Sequence, residues 1–136
     1  MLRFTVCILG MTCFFVACGP PTAQKREAIS FQVLSHGESI DLGPHIVAGQ
    51  VTVFEVFADW CAPCKVLDLS LQDLERTYGP RITVHKLDLV SFDSNLAKSM
   101  NIKDLPYMIV YNEQQQMLNS GPSNQVLPQL LRYLNQ

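Results

Sequence analysis

The spacing of apolar positions changes several times along the chain, and each change marks an element. Val51 to Phe57 is a β-branched and aromatic run interrupted only by Thr52 and Glu55, the pattern of a strand buried on both faces. Beyond Cys61, the residues Leu67, Leu71, Leu74 and Tyr78 recur at i, i+4, i+7 and i+11, one stripe of a helix that Gly79-Pro80 ends. Ile82 to Leu89 reads as a second strand. Phe92, Leu96 and Met100 keep a helical period, with Ser91 or Asp93 as the cap. Pro106 to Tyr111 and Met117 to Asn119 predict two strands around the polar turn Asn112 to Gln116. Val126, Leu127, Leu130, Leu131 and Leu134 predict a last amphipathic helix, with Pro128 in its first turn. Upstream, short alternations over Ile29 to Leu34 and Ser39 to Leu42 flank His36-Gly37-Glu38 and predict a strand or hairpin. The order β, α, β, α, β, β, α behind that first unit gives an α/β fold, a mixed sheet with helices on both faces.

The N-terminus follows a different rule. Arg3 precedes an apolar run from Phe4 to Ala17 that is shorter than the ~20 residues of a membrane-crossing helix. Residues 1–17 therefore read as a secretory signal peptide. Its end, Phe15-Val16-Ala17-Cys18, resembles the lipobox of bacterial lipoproteins, with Phe15 where Leu is usual. That resemblance implies cleavage before Cys18 and lipidation of its thiol. The alternatives are an ordinary signal peptide with a chance cysteine and an uncleaved anchor. Residues 18–29 carry two prolines and no apolar period, so they read as a tether. Residues 30–136 are the domain.

Composition sharpens this picture at two points. Ten Lys+Arg against 12 Asp+Glu leave a formal net charge of −2, with no basic stripe, which argues against nucleic acid as a partner. Five cysteines are an odd number for an exported chain. The signal peptide takes away Cys7 and Cys13 and lipidation occupies Cys18, leaving Cys61 and Cys64 as one pair.

That pair carries the chemistry. Phe57-Ala58-Asp59-Trp60-Cys61-Ala62-Pro63-Cys64-Lys65 joins a buried strand to an amphipathic helix. A helix begun there directs unpaired amides and its positive dipole end at Cys61, which favours thiolate over thiol. Pro63 suits the first turn, and Cys64 lies three residues on along the same face. A zinc site would need a second Cys pair or a spaced His pair, and none survives removal of the signal peptide. A purely structural disulfide over so short a loop gains little chain entropy. His36, His45 and His85 read as surface or hydrogen-bonded structural residues.

From about Ile29 to the C-terminus the chain resembles the thioredoxin family. The likeness rests on Trp60-Cys61-Ala62-Pro63-Cys64-Lys65, on Leu105-Pro106 before a strand, on Gly121 after the final strand, and on Glu55 with Lys86. The resemblance implies a thioredoxin fold and a thiol:disulfide oxidoreductase. It implies Cys61 as attacking thiol, Cys64 as resolving thiol, Glu55 as a buried acid and proton acceptor, and Lys86 as its neighbour. Trp60, Ala62, Pro63, Leu105, Gly121 and a cis-linked Pro106 are implied to form the substrate groove. Leu69 stands where the family usually has a helix-kinking proline, so a straighter helix is expected. No metal or organic cofactor is implied. Protein disulfides would be the substrates, a transmembrane dithiol carrier the electron donor, and the working form a lipid-anchored monomer on the extracytoplasmic face of a bacterial envelope. The alternatives are a non-catalytic thioredoxin-fold binding lipoprotein and a disulfide oxidant or isomerase.

Overall fold

The computed structural model describes residues 30–136; the expected signal peptide over residues 1–17, Cys18 and the expected tether over residues 18–29 lie outside the described residues. Five strands, β1 (Gln32–His36), β2 (Val51–Phe57), β3 (Ile82–Asp88), β4 (Tyr107–Tyr111) and β5 (Met117–Pro122), form one sheet in the order β1-β3-β2-β4-β5. Helices α1 (Ala62–Tyr78), α2 (Asn95–Ser99) and α3 (Ser123–Leu134) connect or follow them. β1 and β2 run parallel to β3, whereas β4 is antiparallel to β2 and β5 antiparallel to β4.

β2 is the middle strand, and its composition explains why. Val51, Val53, Phe54, Val56 and also Thr52 and Glu55 are fully buried, so both faces of the strand are covered. On one face Val51 and Val53 pack with Leu67, Leu71 and Leu74 of α1 and Val126, Leu130 and Leu134 of α3. On the other, Phe54 and Val56 pack with Leu87, Leu89, Leu96, Ala97 and Ile109 beside α2. Each large side chain so buried contributes about 1.5–3 kcal/mol. α1 runs unbroken past Leu69 and stops at Gly79, whose φ of 51° lies in the left-handed region that glycine enters without strain.

Several sequence expectations are corrected. The predicted hairpin does not form: β1 pairs in parallel with β3, and residues 39–42 are not a strand. Short alternating segments disclose an extended chain but not its partner, and β1 finds a free sheet edge. The second helix begins later than Ser91 or Asp93 would set it. Ser94 is the cap, its side chain accepting from the Ala97 amide, and Phe92 stays outside the helix. β5 continues beyond Asn119 to Pro122, which places Gly121 inside the strand opposite Met108 rather than after it. α3 starts at Ser123, so Pro128 lies in its interior.

His36 stays at the surface beside Asp88, but His85 is buried and neither ring nitrogen has a hydrogen-bond partner. Its ring lies against Phe54 and 6.1 Å from the half-buried His45. Desolvation, and then the neighbouring His45, lower its pKa.

Candidate functional site

The site forms where β2 ends and α1 begins. Cys61 caps α1 in an extended conformation, with Pro63 in the first turn, and its Sγ accepts from the Cys64 amide at 3.3 Å. Cys61 and Cys64 are joined by a disulfide, with their Cα atoms 5.4 Å apart. In the reduced state the same amide and the helix end would stabilise negative charge on Cys61. Trp60 remains 58% exposed. Its indole N–H donates to the Val90 carbonyl at 2.8 Å, and its ring packs at 5.6 Å against Phe92. The Val90 turn is itself held by Asp88, whose Oδ1 accepts from the Val90 amide.

On the other flank lies an open groove of about 780 Å³. Ala62, Pro63, Leu105 and Pro106 line it, joined by Pro122 and Leu127, and the Leu105–Pro106 peptide bond is cis as expected. The Pro106 carbonyl accepts from Ser123 N–H at 3.0 Å, which ties the start of α3 to the groove wall. The groove thus gathers four of the sequence-predicted substrate residues. Trp60 stands outside it, and Gly121 lies one residue behind the Pro122 wall.

Beneath the disulfide the parallel register sets Glu55 directly opposite Lys86. Glu55 is fully buried, and neither carboxylate oxygen has a hydrogen-bond partner. The Lys86 ammonium stands 3.6 Å from Glu55 Oε2 but 2.6 Å from Asp68 Oδ1, and 4.4 Å from the centre of the Phe57 ring. Burial raises the Glu55 pKa to about 7; Lys86 opposes the rise and the Asp68 carboxylate adds to it. A cavity of about 200 Å³ lined by Cys64, Asp68 and Lys86 lies beside this trio. It has room for water beside Cys64, Asp68 and Lys86, and Glu55 lies behind that lining.

Asp68 and Phe57 escaped the sequence reading as functional residues. Asp68 lies four residues after Cys64 on α1, so helical spacing could have placed it on the same face. Only the sheet register brings Lys86 to it. Among the described residues no group of three or more His, Cys, Asp or Glu side chains is arranged to hold a metal ion. No helix among them is long and apolar enough to cross a membrane.

The Thioredoxin family model matches residues 44–134. The chain is 30% identical over 99 residues to mitochondrial thioredoxin-2 of Schizosaccharomyces pombe, covering 70% of this chain and 73% of that protein. It is 29% identical over 59 residues to thioredoxin C-2 of Corynebacterium nephridii, covering 43% of this chain and 54% of that protein. It spans about half the length of several of the curated relatives it matches. The short form of spinach chloroplast thioredoxin f superposes with a TM-score of 0.59 at 21% identity, over 81% of this chain and 99% of that one, and shares the fold. With its sheet order, its cis-linked Pro106 and a Cys-x-x-Cys pair at the head of α1, the chain belongs to the thioredoxin family.

Proposed function

We propose that this protein is an exported, membrane-tethered thiol:disulfide oxidoreductase that reduces protein disulfides. The observation that carries the redox reading is the Cys61–Cys64 pair at the start of α1, set between a peptide-sized groove and a buried acid whose pKa is about 7. In the reduced protein the Cys61 thiolate attacks one sulfur of a substrate disulfide. A bond forms to Cys61 Sγ, and the other substrate sulfur leaves and takes a proton. Cys64 then gives its proton to Glu55, directly or through water, and attacks Cys61 Sγ. The Cys61–Cys64 disulfide closes, the second substrate thiol departs, and two electrons have passed to the substrate. A dithiol donor, in our reading a transmembrane carrier, returns the pair to the reduced state. The half-buried Leu105-Pro106 turn and the largely apolar groove it lines suit an extended substrate segment.

Direction of electron flow is tested by the reduction potential of the full chain equilibrated against glutathione or dithiothreitol. A reductase should lie near or below about −230 mV, whereas a value near about −120 mV would make the protein an oxidant. A pair that stays closed under strong dithiol would leave only a binding role.

Export and tethering rest on the Arg3-led apolar run, the Val16-Ala17-Cys18 junction and the cysteine count. Each acyl CH₂ buried contributes ~0.8 kcal/mol, so two or more chains on Cys18 would hold the protein firmly. Cys18→Ser should block maturation or move the protein from the membrane to the soluble fraction, with Cys61–Cys64 chemistry intact. A variant that stays in the membrane at normal mature size would exclude an acyl anchor on Cys18.

A further inference from the structure

Glu55 and Lys86 face each other across the β2–β3 register, yet they are not each other's best partner. The shortest contact of the ammonium, 2.6 Å, is to Asp68 Oδ1. The other Asp68 oxygen, Oδ2, accepts from Gln72 Nε2 at 3.1 Å, one turn further along α1, so the carboxylate is oriented from both sides. The Phe57 ring supports the lysine at 4.4 Å. At 3.6 Å from the Lys86 ammonium, within ion-pair range but beyond hydrogen-bond length, the buried Glu55 carboxyl makes no hydrogen bond, and the Asp68 carboxylate is its other charged neighbour.

We propose that Asp68 is a positioning residue: by holding the Lys86 ammonium toward α1, it keeps Glu55 from forming a closed ion pair and so leaves that carboxyl free to exchange a proton with Cys64. A closed pair would fix Glu55 as a weak, permanently ionised base. A lysine held away lets Glu55 titrate near neutrality, where a proton acceptor works best. This deepens the redox role proposed above for the same site and rests on it. The charged groups acting on Glu55 are Lys86 from β3 and Asp68 from α1, and Cys64 lines the cavity that these two residues share. Asp59 and Lys65 line the adjoining cavity. β4 sets Met108 opposite Glu55, and α3 packs Val126, Leu130 and Leu134 into that side of the core.

The test follows the Glu55 carboxyl by carbon NMR in the oxidised full chain labelled at glutamate, with Glu55→Gln assigning the signal. Asp68→Asn keeps the side-chain shape on a partly exposed helix face, and it should lower the Glu55 midpoint by about one pH unit as Lys86 swings onto Glu55. Asp68→Glu should restore a midpoint close to that of the parent. In a Lys86→Met background the same Asp68→Asn change should move the midpoint by less than half as much, because no ammonium remains to be released. An unchanged or raised midpoint in Asp68→Asn, or equal shifts in both backgrounds, would overturn the proposal, the latter by reducing Asp68 to a nearby like charge. The pH profile of mixed-disulfide resolution should move with the titration. If the titration moves and the rate profile does not, Glu55 is not the proton acceptor, and it is the mechanism under Proposed function that fails while the positioning of Lys86 by Asp68 stands.

Discussion

Cys61→Ser should abolish disulfide reduction, by roughly 10⁴-fold or more, the scale on which losing a covalent nucleophile is felt. Cys64→Ser should retain the first attack and accumulate mixed disulfides. The asymmetry follows from position. Cys61 is the cap of α1, where its sulfur meets the Cys64 amide and the positive end of a 17-residue helix. Cys64 lies within the first turn, buried and away from the helix end, and lines the cavity it shares with Asp59 and Asp68 as well as Lys65 and Lys86. Negative charge is therefore favoured on the first sulfur and disfavoured on the second until a base removes its proton. Alkylation of the reduced protein at mildly acidic pH, followed by peptide mapping, should find Cys61 labelled first. Faster labelling at Cys64 would reverse the assignment of the two roles.

What the sequence disclosed and what it withheld divide along a physical line. Elements with many residues obeying one period were legible: the doubly buried run of β2, the Leu67, Leu71, Leu74 stripe of α1, and the Cys61-to-Cys64 turn between them. Interactions decided by which strand lies beside which were not. β1 was readable as extended chain, but its parallel pairing with β3 depends on a sheet edge that other segments create. α2 is five residues long, too short for periodicity to fix its start, and Ser94 outcompetes two earlier caps. Phe92 kept the helical period yet packs on Trp60 instead. His85 looks like an ordinary polar residue of a strand, and its burial without partners follows from the covering of the α2 face of the sheet. Asp68 is the most instructive omission. On α1 it is one charge among several, and it gains meaning only because β3 delivers Lys86 to the same point. The site is thus legible where one element carries it and hidden where three elements meet.

Glu55→Gln should stabilise the oxidised protein at pH 8 while slowing its turnover, two effects of opposite sign from one carboxyl. In the folded chain the Glu55 pKa is raised from 4.5 to about 7, chiefly by burial. A carboxyl whose folded pKa lies above its unfolded value contributes stability that is fully present below about pH 4.5 and is lost as pH rises through about 7. Ionising it within the core thus costs the parent protein about 3 kcal/mol at pH 8, the equivalent of that shift. Gln fills nearly the same volume and carries no charge, and Lys86 keeps its contact with Asp68. Urea unfolding of the two oxidised proteins should accordingly diverge by about 3 kcal/mol at pH 8 and converge toward pH 4.5. Turnover should fall by ~10²–10⁴-fold at neutral pH, the usual contribution of a positioned proton acceptor. The defect should lie in the resolving step, so mixed disulfides persist while the first attack by Cys61 is spared. Equal stabilities at pH 8 would show that the buried charge is compensated in the fold. A rate unchanged across neutral pH would show that Glu55 takes no proton from Cys64 and serves the fold alone.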